Sequence, residues 1–152
     1  MKRTFLFLVV ATLVLLTGMI SSYAQGTAKT GPATIRDADL EKDAMHNLEV
    51  ARHYFKQKKA YLAALQRCEE VIAGNPTFAR IDEILFIAGE SSLRLSQGKG
   101  KQPAKLSAAK LREDARDYLS QLVSDYPDSA FRGQAEEDLK DLGGPKPTAS
   151  KQ

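Results

Sequence analysis

The two histidines of the chain flank a glutamate at helical spacing. His46, Glu49 and His53 are separated by three and four residues, which places them along one stripe of a helix, a geometry that can present metal ligands. The chain has no third histidine, so a complete site would need carboxylates such as Asp43 or a ligand from a partner molecule. A solvated helix face explains the same spacing more simply. We therefore predict no bound metal, with metal binding through this stripe as the alternative.

The remaining nucleophilic side chains lack the neighbours that catalysis requires. Cys68 is the only cysteine, and it stands between Leu65 and Val71 on an apolar helix face, which predicts burial as a small hydrophobic residue. No serine has an acid–histidine pair at a recognisable spacing, and no glycine-rich phosphate loop follows a strand. The sequence therefore predicts a protein that is not an enzyme and that has no cofactor.

The N-terminus has the three parts of a secretory signal peptide. Lys2 and Arg3 precede an apolar run at positions 5–20, and small residues before the end of the segment fit cleavage after Ala24. This predicts a signal peptide at 1–24 and an exported, periplasmic mature chain. The alternative is a retained N-terminal membrane anchor, although the apolar run is shorter than the roughly 20 residues that a spanning helix needs.

The signal segment also bears on lipid attachment. Leu16, Thr17 and Gly18 are how a bacterial lipoprotein box begins, but Met19 stands where the lipid-accepting cysteine would be. A methionine thioether cannot be converted into the thioether-linked lipid. The sequence therefore predicts no lipid anchor.

The charge balance points to protein partners. The chain has 22 Lys+Arg against 19 Asp+Glu, a net charge of +3. Removal of 1–24 takes away Lys2 and Arg3, which leaves 20 basic against 19 acidic residues and a net charge of +1. A nearly neutral chain has no electrostatic footprint for nucleic acid. The 128 residues that remain (152 − 24) suffice for one domain.

Five segments between positions 37 and 142 repeat apolar residues every three or four positions, which predicts five amphipathic helices. Asp37 or Asp39 is expected to cap the first helix, which runs to about Lys58. Asp128 or Ser129 is expected to cap the fifth. No segment alternates apolar and polar residues as a strand would. The predicted fold class is all-α.

Three segments lack this apolar period. Residues 25–36 are rich in Gly, Thr, Ala and Pro and predict a flexible leader, and 143–152 predict a disordered tail. Within the helical domain at 37–142, glycines and lysines near 96–107 interrupt the pattern. This stretch predicts a solvated loop insertion.

The second and fourth helices each carry an alanine twelve residues before a proline: Ala64 precedes Pro76, and Ala115 precedes Pro127. Small residues let two helices cross closely, and proline ends a helix. The pattern predicts two right-handed tetratricopeptide-like hairpins with the fifth helix as a cap. The residues expected to pack these hairpins are Ala51, Tyr61, Ala64, Pro76, Ala88, Gly89, Ala115 and Pro127.

Several short strings resemble a known family. They are YLAAL at 61–65, EVI at 70–72, NP at 75–76, IDE at 81–83, AGES at 88–91 and YPDS at 126–129. Through these strings, most of the mature chain resembles the helical-repeat lipoprotein of the bacterial outer-membrane β-barrel assembly machinery, the BamD (YfiO) family. This chain is shorter than members of that family and lacks the lipobox cysteine. The resemblance implies a non-catalytic scaffold that binds a protein or peptide in the cell envelope, possible partners being outer-membrane assembly components. The last string is also similar to a periplasmic repeat protein of cell division, which gives an alternative context.

In such repeats the first helix of each hairpin lines a concave face that receives the partner. Counting from the repeat register assigns to this face His46, Glu49, His53 and Lys56 of the first helix and Glu83, Phe86, Glu90 and Leu93 of the third. Phe86 and Leu93 lie off the core stripe of their helix. They are therefore either buried by the insertion and the fifth helix or exposed as an interaction surface.

Overall fold

The computed structural model describes residues 37–146, and these residues form five helices. Within that range no strand is present, which confirms the all-α class. The predicted signal peptide at 1–24 and the predicted leader at 25–36 lie outside the described residues. The helices are α1 (Ala38–Arg52, continued by a π-helical segment at His53–Lys58), α2 (Tyr61–Gly74), α3 (Ile81–Ser96), α4 (Ala108–Asp125) and α5 (Arg132–Asp141).

Side-chain caps fix the starts of two helices. Of the two expected candidates, Asp37 caps α1, because its Oδ1 accepts hydrogen bonds from the backbone N–H groups of Asp39 and Leu40 at 2.9 and 3.4 Å. Ser107 caps α4 through the N–H of Lys110 at 3.2 Å. Such a cap satisfies backbone donors that have no partner within the helix.

The expected cap of the fifth helix is wrong. Neither Asp128 nor Ser129 caps α5, which begins at Arg132 with Phe131 at the cap position and no side-chain cap. Ser129 is used differently: its hydroxyl accepts from the Phe131 N–H at 3.2 Å and donates to Asp82 of α3 at 2.7 Å. The serine therefore stabilises the turn before α5 and ties that turn to α3.

The turn between α1 and α2 is tight. Lys59 has a φ of 51°, a left-handed conformation that lysine rarely adopts, and the Ala60 N–H bonds to the Tyr54 carbonyl at 3.0 Å. The loop after α3 returns to this turn, where the Lys101 N–H bonds to the Lys59 carbonyl at 3.3 Å. A Cβ on Gly100 would lie 2.8 Å from the Tyr61 ring. The insertion is thus exposed, as expected, and is also anchored.

The helix α3 forms the centre of the fold. Every residue at 83–93 is buried, and α3 packs extensively against both α2 and α4. A helix that is apolar on most sides is stable only when neighbours surround it. Arg52 of α1 and Phe131, which lies just before α5, cover the remaining sides of α3. Burial of α3 therefore depends on all four other helices.

The residues expected to pack the hairpins occupy two kinds of position. Six are buried within helices α1 to α4, and two prolines are exposed just after α2 and α4. The buried six are Ala51, Tyr61, Ala64, Ala88, Gly89 and Ala115, and the prolines are Pro76 and Pro127. Gly89 marks the closest approach, since a Cβ built there would lie 2.6 Å from Cγ of Leu119 in α4.

The first residues of the predicted disordered tail are held against α4, so that prediction is corrected for 143–146. Arg116 donates to the Gly144 carbonyl at 2.6 Å, and the Lys146 N–H donates to Ser120 Oγ at 2.9 Å. The remaining tail residues, 147–152, lie outside the described part. None of the helices in the described range is long and apolar enough to cross a membrane.

Candidate partner-binding surface

The α1 half of the predicted surface is exposed. His46, Glu49, His53 and Lys56 all have exposed side chains and follow one another along α1 and its π-helical continuation. Charged and titratable groups thus lie in a row that a second molecule can reach. Among residues 37–146 no group of three His, Cys, Asp or Glu side chains is arranged to hold a metal ion, so the histidine stripe supports no metal proposal.

The α3 half of the predicted surface is buried. Glu83, Phe86, Glu90 and Leu93 are all buried, so α3 does not present them to solvent in this conformation. For Phe86 and Leu93 the structure selects burial, the first of the two possibilities that the sequence allowed. The Phe86 ring stacks on the ring of Phe131, just before α5, with centroids 4.9 Å apart. A partner that contacts these four residues directly would have to displace part of the chain.

Glu83 is the centre of an ion cluster between α1 and α3. Its side chain is only 5 % exposed, and Arg52 of α1 binds both of its oxygens at 2.6 Å. Arg80 adds a third bond at 2.5 Å. Burial alone would raise the pKa of Glu83, but the bonds from Arg52 and the charges of Arg52, Arg80 and Lys56 outweigh it and hold that pKa below its usual value. Glu83 is therefore ionised and fixed.

Glu90 forms a second buried ion pair two turns further along α3. It is 2 % exposed, and Arg94 donates to its Oε2 at 3.0 and 2.7 Å. The guanidinium of Arg94 also lies 5.8 Å from the ring centroids of Phe55 and Tyr61, a cation–π distance. The pair thus connects α3 to the turn between α1 and α2.

Sequence reasoning missed the three arginines of these clusters, Arg52, Arg80 and Arg94. Two of them had a signal, because Arg80–Glu83 and Glu90–Arg94 have the three- and four-residue spacing of helical ion pairs. The Arg52–Glu83 pair spans 31 residues and has no local signal. All three arginines keep part of their side chains accessible, and Arg52 directly precedes His53 of the exposed row on α1.

Cys68 is buried, as the sequence predicts. Burial, together with the charges of Glu69 and Glu83, raises the pKa of its thiol well above the ordinary value. We expect Cys68 in the native protein to react with a thiol-specific reagent at pH 8 at least about 100-fold more slowly than in denaturant, because both access and thiolate are lacking. A native reaction as fast as the denatured one would contradict this burial.

A cavity of about 330 Å³ lies beside Asp82, at the ends of the α2–α3 and α4–α5 turns. Its lining includes three aspartates, Asp82, Asp125 and Asp128, but no histidine, cysteine or lysine. One of these aspartates, Asp82, is already bonded to Ser129.

Comparison with protein-family models, with curated proteins and with solved structures finds no match to this chain.

Proposed function

We propose that the protein is a non-catalytic scaffold, exported to the cell envelope, that binds a protein or peptide through the exposed face of α1. The observation that carries the proposal is the row of His46, Glu49, His53 and Lys56, all exposed, beside the fixed Arg52–Glu83–Arg80 cluster. A rigid helix with accessible charged groups can contact a partner without rearrangement, which lowers the entropic cost of binding.

A tetratricopeptide-like arrangement is part of the proposal. It is supported by two successive helix pairs, α1–α2 and α3–α4, with extensive contacts within each pair and between α2 and α3. The small residues Ala51, Ala64, Gly89 and Ala115 are buried in these pairs, as closely crossing helices require. Here α5 serves as the cap, since it packs against α4.

The charges of the surface indicate what a partner would carry. Arg52 and Arg80 share one buried carboxylate, Glu83, and Lys56 lies near enough to influence the same group. Three cations against one carboxylate leave a local positive excess, whereas Glu49 supplies an acceptor on the same helix. A partner segment with an acidic and a basic side chain complements this pattern better than a purely apolar one.

The cellular context follows from the sequence. The predicted signal peptide and the family resemblance favour the periplasm and outer-membrane protein assembly, with cell division or envelope maintenance as the alternative process. The partner in either case is an envelope protein, not a nucleic acid.

The proposal can be tested with two charge swaps that leave the net charge unchanged. Glu49→Lys with Lys56→Glu alters the α1 row, whereas Arg67→Glu with Glu70→Arg alters an exposed ion pair on α2. We expect immobilised wild type and the α2 swap to capture the same envelope protein, and the α1 swap to capture at least about tenfold less. Equal capture by both swaps would refute binding through α1, and no capture by wild type would refute the scaffold function.

A further inference from the structure

Two carboxyl groups meet where α5 contacts α3. Glu90 of α3, whose side chain is 2 % exposed, lies close enough to the Asp138 carboxyl of α5 to raise the pKa of Asp138. The Oδ2 atom of Asp138 is buried and receives no hydrogen bond from an N–H or O–H group. A buried acceptor without a donor is costly, unless one of the two acids carries a proton.

The surrounding charges do not neutralise both acids. Arg94 of α3 bonds to Glu90, and its charge also acts on Asp138. One guanidinium therefore serves two carboxyl groups, and contacts with the rings of Phe55 and Tyr61 hold it in place. Glu137 of α5 adds a further negative charge.

The cations that α4 directs towards the end of α5 are used elsewhere. Arg112 bonds to the Asp141 carbonyl, and Arg116 bonds to the carbonyls of Gly143, Gly144 and Pro145. Burial, the contact with Glu90, and the charges of Glu90 and Glu137 raise the pKa of Asp138 to about 7, against the opposing effect of Arg94.

We propose that Glu90 and Asp138 share one proton, and that this shared proton fastens α5 to α3 as a pH-dependent latch. With the proton in place, one carboxyl donates to the other and the Asp138–Glu90–Arg94 group is neutral. Without it, the carboxylates of Glu90 and Asp138 carry two negative charges against the single positive charge of Arg94.

The direction of the pH effect follows from linkage. In a released α5, Asp138 would titrate near its ordinary pKa of about 3.9, whereas in the docked helix its pKa is about 7. The docked form therefore binds more protons between these values. The equilibrium constant for docking of α5 therefore falls as the pH rises from about 4 to about 7, by at most about tenfold per pH unit. Above pH 7 this constant levels off.

Other contacts decide how far the latch controls α5. The helix has ten residues and buries Ala135 and Leu139, and the ring of Phe131 stacks on Phe86. So small an element can open locally without global unfolding. Opening would uncover Phe86 and Glu90, two residues of the predicted partner face; this consequence rests on the proposed function, whereas the latch itself does not.

Native-state hydrogen exchange on the full chain, without any partner, tests the latch. From pH 5 to pH 7 we expect the protection factors of α5 amides to fall at least about tenfold relative to α3 amides, and from pH 7.5 to pH 8.5 to stay constant. Working above pH 5 avoids protonation of Glu83, whose pKa is lowered.

Two isosteric variants, one at the proposed group and one as a matched control, separate the shared proton from other effects of pH. Asp138→Asn supplies an N–H donor to Glu90 at every pH, so its α5 protection should stay flat and exceed the wild type by at least about tenfold at pH 7.5. Asp141→Asn changes an exposed aspartate of the same helix and should follow the wild-type profile. A flat wild-type profile, or an Asp138→Asn profile that falls like wild type, would overturn the proposal. So would a carbon-13 titration of the Asp138 carboxyl with a midpoint near 4.

Discussion

Replacing Arg52 with methionine should lower the free energy of unfolding by about 2–3 kcal/mol at pH 7. The change keeps most of the side-chain volume but removes the bidentate partner of Glu83, whose carboxylate is 5 % exposed. Arg80 still bonds to one oxygen, which places the expected cost below the full 3–5 kcal/mol for breaking a buried ion pair. Urea denaturation followed by circular dichroism measures the change.

Two further variants separate the lost ion pair from other effects. Arg67→Met removes the exposed Arg67–Glu70 pair and should cost less than about 0.5 kcal/mol. The double variant Arg52→Met with Glu83→Met leaves no unpaired buried charge, so it should be more stable than Arg52→Met alone. The account of Glu83 fails if Arg52→Met is no more destabilising than Arg67→Met, or if the double variant is the least stable of the three.

A second substitution probes the close crossing of α3 and α4. Gly89→Ala should lower the free energy of unfolding by up to about 2 kcal/mol, although alanine is the better helix former by about 1 kcal/mol. The added Cβ would lie 2.6 and 2.7 Å from Cγ and Cδ2 of the fully buried Leu119. Because Leu119 is fully buried and would have to shift, the overpacking penalty of about 1–3 kcal/mol should exceed the gain in helix propensity.

A glycine of α5 supplies the matched control for this substitution. Gly133 is exposed within the helix, and a Cβ there would have no heavy atom within 4 Å. Gly133→Ala should therefore raise the free energy of unfolding by about 0.5–1 kcal/mol. Opposite signs for the two variants are the expected result in a thermal or urea melt. A stabilising Gly89→Ala would show that the two helices do not cross at that glycine.

The helices could be predicted from the sequence because their apolar residues recur with the period that buries one face. The helix α4, which buries Leu111, Ala115, Leu119 and Leu122, and the capping Asp37 are examples, since both signals are local. The start of α5 could not be predicted in the same way. One of its two expected caps, Ser129, instead bonds to Asp82, 47 positions away, and sequence spacing does not show that contact.

The α3 half of the candidate surface shows a second limit of sequence reasoning. The repeat register assigns Glu83 and Glu90 to the concave face that receives a partner, but both side chains are buried. Their burial requires the Arg52 side chain from α1 and the approach of Asp138 from α5. Each of these contacts joins residues more than 30 positions apart, and no pattern within one helix contains that information.

The claim that α1 presents the partner-binding surface is tested most directly by photo-crosslinking in cells that produce the full chain. A benzophenone amino acid replaces Lys42, an exposed residue one turn before His46 on α1, and in a separate strain it replaces Glu70 on α2, which is also exposed. We expect one discrete crosslinked protein with the probe at position 42, and at least about tenfold less of it with the probe at position 70. Equal crosslinking from both positions, or none from position 42, would contradict the account.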